Sequence, residues 1–335
     1  MNGTRFPLVS VVILSWNGRK YLENCLESVL KSDYPRFEVI VSDNGSTDGS
    51  IELVRRNPRV ILIENNQNLG FSRGNNRAIR AASGDIIILL NQDTYVDPNW
   101  IRNIVVPASD PCVGIVGCKL LYPHTNVVQS VGYRVHRSGY PLPEGAFHHD
   151  HGQDYEEVTI DYATGAALAV KRSVLERIGL LDAGYQAYYE ETDLCFRARK
   201  EGFRIVIAPK AIVYHYGSIS HGGSSFRKCY LNEKSRLRYL LKNYTLAEVA
   251  LGLLVYDLQW DVGKLIALRE HRLDFQKETI MNTGPQENKS GLWSFVARSI
   301  SAKLAAYIMF FITETRETIA ARYLLGQSER LDARN

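Results

Sequence analysis

The chain has only five cysteines, Cys25, Cys112, Cys118, Cys195 and Cys229, and no CxxC pair. An odd set without that spacing predicts free thiols in a reducing compartment. Long apolar runs are missing as well. The first run, Leu8 to Leu14, leads into polar sequence without a small-residue cleavage site, so it reads as a strand and not as a signal peptide. Two later stretches, 246–256 and 304–312, are strongly apolar but fall short of the roughly 18–20 residues that a membrane-spanning helix needs. Charge of one sign is scarce: the net charge is +4. No basic stripe accompanies an aromatic platform, which argues against a nucleic-acid partner. No GK[ST] follows a glycine-rich turn and there is no GxGxxG, so neither a Walker loop nor a dehydrogenase fingerprint is present.

What is there is a long alternation of strand and helix signals. With 335 residues the chain can bury a large core, as one large domain and a smaller one. VSVVIL (9–14) reads as a buried strand. Leu22, Cys25, Leu26, Val29 and Leu30 then recur at helical spacing. FEVIVS (37–42) and VILI (60–63) read as strands, with a short helix at 51–56 between them. Ala78, Ile79 and Ala82 mark a helix before the apolar strand 86–90. Asp97 and Pro98 suit the start of another helix. This βαβ order predicts an α/β fold with a mostly parallel sheet flanked by helices. Further on, one or two strands are expected within 113–122, a long surface loop over 136–158, and strands at 165–170 and 204–209. Short helices are expected at SVLERIG and DLCFRARKEG. From about residue 229 helical patterns dominate to about 325, broken by a polar linker at 282–290.

Five segments have the residue types for chemistry. SDNGSTDGS (42–50) places Asp43 at a strand end, where it can accept hydrogen bonds from a base or a ribose; a well-capped turn is the plain alternative. NQNLGFSRGNNRAI (66–79) offers Gly70 for close backbone approach and Asn68, Arg73, Asn75 and Asn76 as donors near a helix start, suited to a phosphate or sugar. In GDIIILLNQDTYVDP (84–98), Asn91, Gln92 and Asp93 follow a buried strand, and such oxygen donors suit Mg²⁺ or Mn²⁺ shared with substrate phosphates. Glu190, Glu191 and Asp193 form an acidic cluster before a helix. One of them can take a proton from an attacking hydroxyl. The helix dipole is expected to keep it ionised and so to weaken it as a base, and Arg197, Arg199 and Lys200 are expected to face solvent. His215 follows a strand in VYHYGSISHG, where an imidazole serves Mn²⁺ well. His148, His149 and His151 lie beside Asp150 in the expected loop, a poor place to hold a ligand geometry.

Together these segments resemble family 2 of the inverting glycosyltransferases, whose catalytic domain is the GT-A fold, and most of all its bacterial rhamnosyltransferase-like branch. The resemblance covers roughly residues 8–222. VSVVILSWNGRKYLENCLESVL is similar to the family's first strand and helix, which implies donor contacts for Ser15 and Asn17. SDNGSTDGS is similar to its nucleoside-binding segment, with Asp43 as the base- or ribose-contacting acid. NNQNLGFSRGNNRAI matches its NxGFxxGNN stretch. SGDIIILLNQDTYV matches the metal-bearing strand end, so the resemblance gives Asp93 the metal role. TGAALAVKRSVLERIGLLDAGY resembles the region that shapes the acceptor side. The family's Glu-Asp-x-Asp reads Glu190-Glu191-Thr192-Asp193 here, which puts Glu191 at the base position with one extra methylene and leaves Asp193 in reserve. His215 matches a histidine that can ligate the metal.

The resemblance implies a GT-A domain at 1–228 and a helical region at 229–335 that serves packing, oligomerisation or peripheral membrane contact. It implies Mg²⁺ or Mn²⁺, a dTDP- or UDP-linked sugar donor, and a saccharide or lipid-linked glycan acceptor. It places the protein in the cytoplasm, with the inner membrane face or a homodimer partner as alternatives for the apolar tail. Two other readings compete: a nucleotide-sugar or carbohydrate-binding subunit without catalysis, and a nucleotidyltransferase of similar fold. SWNGRK is a poor version of the glycine-rich loop that the latter needs after its first strand.

Overall fold

The computed structural model describes residues 6–150, 158–217, 226–257, 259, 301 and 303–308. Among them, alternating elements run β1 (Val9–Ser15), α1 (Arg19–Leu30), β2 (Phe37–Asp43), α2 (Ser50–Arg55), β3 (Val60–Glu64), α3 (Gly70–Ala81) and β4 (Ile86–Asn91). β1 pairs in parallel with β2 and β4, and β2 with β3. β1 and β4 are buried on both faces, which is why their sequences are continuous apolar runs and not alternating ones. α1 packs Leu22, Cys25, Leu26 and Val29 into this core. All five cysteines are free thiols.

After β4 come β5 (Thr94–Val96), α4 (Trp100–Ala108), β6 (Val113–Leu121), β7 (Val128–Ser130), β8 (Tyr133–Val135), β9 (Pro141–Pro143), β10 (Val158–Thr159) and β11 (Ala167–Lys171). α5 (Arg172–Ile178), α6 (Glu190–Lys200) and β12 (Arg204–His215) complete the sheet's surroundings. The large sheet is ordered β10-β12-β6-β11-β4-β1-β2-β3, with β5 on β12 and β7 on β6; β8 and β9 pair separately. β11 runs antiparallel to both β4 and β6, while β12 is parallel to β6. The carboxyl ends of β1, β2, β4, β6 and β12 and the amino end of β11 therefore lie at one edge. The mostly parallel, helix-flanked α/β sheet is as expected.

Several local expectations are corrected. α4 starts at Trp100, not at Pro98: the Asp97 carboxylate accepts from the Asn99 N–H at 2.9 Å and closes a turn first. β5, just before the expected helix start, is a short strand that the sequence reading did not assign. It pairs antiparallel with β12, Val96 opposite Val213 and Thr94 opposite His215. The described part of the 136–158 stretch is not a plain surface loop. It contains β9, and the largely covered Asp150 carboxylate pairs with the buried Lys119 at 2.7 Å. His149 bonds Asn126 at 2.8 Å, and His151 lies outside the described residues. α6 begins at Glu190, so the acidic residues form its first turn and do not precede it. β12 runs six residues past the expected strand and ends on His215.

The chain forms two compact units. The first holds the large sheet; the second takes residues 135–141, 187–189 and the described residues from Phe226 on. Within the second, α7 (Phe226–Asn243) and α8 (Leu246–Leu251) are followed by a wide π-type turn over Gly252–Tyr256. Arg236, fully buried on α7, contacts Glu233 at 2.8 Å and Asp257 at 3.1 Å. Lys303 and Tyr307 also reach Asp257, at 2.9 and 2.6 Å. Buried charges persist when paired and hydrogen-bonded in this way. The expected linker at 282–290 and residues 309–312 of the second apolar stretch lie outside the described residues.

Candidate active site

The edge where the parallel strands end gathers most of the residues singled out from the sequence. Ser15 and Asp43 are neighbours across β1 and β2, and Leu14 and Asn91 across β1 and β4. The Asn91 N–H donates to Ala166 O, just before β11, and the Gly165 N–H points to Glu191 Oε1 at 3.4 Å. A Cβ on Gly165 would stand 3.1 Å from Phe71 Cζ, which ties the first turn of α3 to the same place. β5 pairs Thr94 with His215. Asp43, Asp93, Glu191 and His215 thus share one edge of one sheet, where open α/β sheets bind ligands.

Asp93 and His215 face each other. The His215 Nε2 to Asp93 Oδ1 separation is 3.5 Å, and the Tyr216 N–H donates to Asp93 O at 3.0 Å. Both side chains are mostly covered. The pair fits a divalent cation: two ligands of one ion at about 2.1 Å stand about 3 Å apart, and diphosphate and water oxygens can complete the shell. No cluster of three or more His, Cys, Asp or Glu able to hold a metal occurs among the described residues. Asn91 is half-buried, and its side chain makes no hydrogen bond among them. Gln129 of β7, which nothing in the sequence marked, hydrogen-bonds His215 Nδ1 at 2.7 Å.

The segment expected to meet the nucleoside is built around Asp43. Ser46 donates to both its oxygens, N–H to Oδ1 and O–H to Oδ2, each at 2.7 Å. Asn17 adopts φ 46°, a left-handed conformation that asparagine tolerates. Its Oδ1 accepts from the Thr47 N–H at 2.8 Å. The Ser15 hydroxyl is fully buried and has no partner among the described residues. Arg73 is exposed on the first turn of α3.

Several residues expected at the site make contacts within the fold. Gln92 clasps Trp16, accepting from its N–H at 3.0 Å and donating to its carbonyl at 3.1 Å. A Cβ at Gly18 would fall 2.2 Å from that amide, so the clasp requires glycine there. Asn68 accepts from the Gly70 N–H at 2.9 Å in the turn that leads into α3. Gly70 takes φ 77° in this turn, open to it because it lacks a Cβ. Asn76 is buried and spends its whole amide on Leu181, donating at 2.7 Å and accepting at 3.1 Å. Asp193 is fully buried and held by Arg197 at 2.9 Å. Arg197 also binds the Ile178, Gly179 and Leu180 carbonyls, so it is not the solvent-facing residue that the sequence suggested. The sequence reading missed Asn44 and Asn65, which link at 2.9 Å behind Asp43; only their place in a polar turn signalled them.

Glu190 and Glu191 carry the unusual electrostatics. Burial pushes the Glu190 carboxyl well above the usual range, and the charge of Glu191 pushes it further. Glu190 Oε2 has no hydrogen-bond partner among the described residues. Burial also raises Glu191, against the hydrogen bonds from the α6 backbone and Gly165. The helix dipole is worth about 0.3–1 kcal/mol here, and desolvation outweighs it. The expected weakening of the base is therefore reversed.

The model of "Glycosyl transferase family 2" matches residues 10–179. The chain belongs to that family. It is 31% identical over 227 residues to the O-antigen biosynthesis protein RfbC of Myxococcus xanthus, covering 64% of this chain and 18% of that protein. It is 26% identical over 288 residues to the N-acetylglucosaminyl-diphospho-decaprenol L-rhamnosyltransferase of Mycobacterium tuberculosis, covering 79% of this chain and 92% of that one. The chain spans about a quarter or less of the first two relatives that it matches. In fold it is similar to the mannosyltransferase PcManGT from Pyrobaculum calidifontis, solved with GDP-Man and Mn²⁺, with a TM-score of 0.58 at 18% identity over 90% of this chain and 88% of that one. The sheet is that of a GT-A glycosyltransferase.

Proposed function

We propose that this glycosyltransferase moves a sugar, rhamnose being the leading candidate, from a dTDP- or UDP-linked donor to a hydroxyl of a saccharide or lipid-linked glycan in bacterial polysaccharide synthesis, with inversion. One observation carries the reading: Asp43, Asp93, Glu191 and His215 share the ligand-binding edge of the sheet. In this reading Asp43 contacts the nucleoside, and Arg73 and Asn91 the diphosphate. Asp93 and His215 would hold Mg²⁺ or Mn²⁺, which when bound neutralises the departing diphosphate. Glu191 takes the proton of the acceptor hydroxyl as its oxygen attacks the anomeric carbon. The bond from that carbon to the phosphate oxygen breaks, and its electron pair leaves with the diphosphate. A single displacement inverts the centre and needs no glycosyl-enzyme intermediate. Glu191, not Asp193, is the base in this scheme, because Arg197 occupies Asp193.

Calorimetry with UDP and dTDP, with and without Mn²⁺, tests the donor half. Asp93→Ala should abolish turnover and remove the metal-dependent part of nucleotide binding; unchanged metal-dependent binding rules that assignment out. Glu191→Gln should leave nucleotide binding intact and lower turnover by about 100-fold or more. Product release distinguishes the competitors: a nucleotidyltransferase would liberate pyrophosphate, and a binding subunit would turn over no donor.

The second unit supports peripheral contact with the inner membrane face. Leu254, Leu246 and Leu304 are 74, 65 and 60% exposed, and the M. tuberculosis relative is named for a decaprenol-linked acceptor. No described helix is long and apolar enough to cross a membrane.

A further inference from the structure

An imidazole can offer a lone pair from either nitrogen, and a cation at Asp93 needs the one on Nε2. If Nε2 carried the proton, His215 would donate toward Asp93 and close the gap between them. The opposite side of the ring decides the matter.

Gln129 lies on β7, which pairs with the end of β6 at Leu120 and Leu121. The same two residues pair with Val213 and Tyr214 of β12, so Gln129 and His215 flank the end of one strand. Gln129 Nε2 donates to the His215 carbonyl at 3.3 Å, which turns its Oε1 toward Nδ1 at 2.7 Å. An amide oxygen can only accept, so Nδ1 bears a proton, and Nε2 is left as the nitrogen that can offer a lone pair toward Asp93. The amide grips backbone and ring of the same residue, which fixes the ring's direction as well as its tautomer. Such outer partners orient metal-binding histidines and change metal affinity by about 10–100-fold when removed.

We infer that Gln129 is a positioning residue that sets the tautomer and direction of His215 for a divalent cation shared with Asp93. This rests on the cation-assisted donor site proposed above. Its acceptor oxygen is the part that matters, so a carboxylate can replace the amide there and an alkyl group cannot.

Electron paramagnetic resonance of Mn²⁺ added to the full chain, alone and with UDP or dTDP, reads this without turnover. Gln129→Leu should weaken Mn²⁺ binding by about 10–100-fold, and Gln129→Glu should stay within about threefold of the parent. His215→Ala sets the floor. If His215→Ala weakens Mn²⁺ and Gln129→Leu does not, the inference is wrong while the cation site stands. If His215→Ala binds Mn²⁺ like the parent, both fall. Ring ¹⁵N shifts of His215 in the unaltered, metal-free protein give a check that no variant's folding can blur. The Nδ1–H form is expected, and the Nε2–H form would overturn the inference.

Discussion

Glu191 is where one residue's surroundings set the chemistry. It must be ionised to take a proton, and burial raises its pKa above the ordinary 4.5. Activity should therefore fall as pH drops through that raised value, so the acid limb of kcat/KM lies above the usual glutamate range. A pH–rate profile checks this; a limb at or below 4.5 would deny that Glu191 is the base. Stability runs the other way with pH. The folded state holds protons on Glu190 and Glu191 more tightly than the unfolded chain. Their contribution is fully present below about 4.5 and is lost as pH rises through the raised values. Glu190→Gln, neutral and nearly the same shape, should flatten that alkaline loss in urea midpoints measured across pH.

α3 shows how one element serves the site by being held from behind. Its amino end carries Gly70, Phe71 and Arg73 toward the catalytic edge, while Asn76 one turn later locks it to Leu181. Asn76→Leu would leave the buried Leu181 N–H and carbonyl without partners, at about 1–3 kcal/mol. Urea denaturation should show that loss. Full stability in this variant would mean that water or a neighbour replaces the amide. Ahead of α6, Tyr188 and Tyr189 both take φ 68°, a conformation that costs energy for such side chains and clusters at functional sites.

At the scale of the molecule, the second unit presents leucines that the family match does not explain. Leu246, Leu251, Leu254 and Leu304 are each at least 47% exposed. We expect the full chain to sediment with anionic vesicles, and Leu254→Glu with Leu304→Glu to weaken that recovery. Parent protein left in the supernatant would exclude the membrane reading. A dimeric mass by light scattering, lost in the same double variant, would assign the leucines to a second copy instead.

The βαβ order, the buried runs of β1 and β4, and the strand-end positions of Asp43 and Asp93 were readable because they are local: periodicity and turn chemistry act over a few residues. His215 could be suspected from its place after a strand, and the family resemblance strengthened that. Its place opposite Asp93 depends on β5, a three-residue strand with too little length to show a pattern, pairing with a residue 121 positions later. Gln129, the Asn76 clasp and the Arg197 that closes off Asp193 were invisible for the same reason. A side chain's partner across the fold leaves no mark on its own neighbours in sequence. Whether an amide meets a substrate or a backbone, and whether a carboxylate meets water or an arginine, is decided by packing alone. So is the direction in which Glu191's pKa moves, because the helix dipole is a local effect and desolvation belongs to the whole fold.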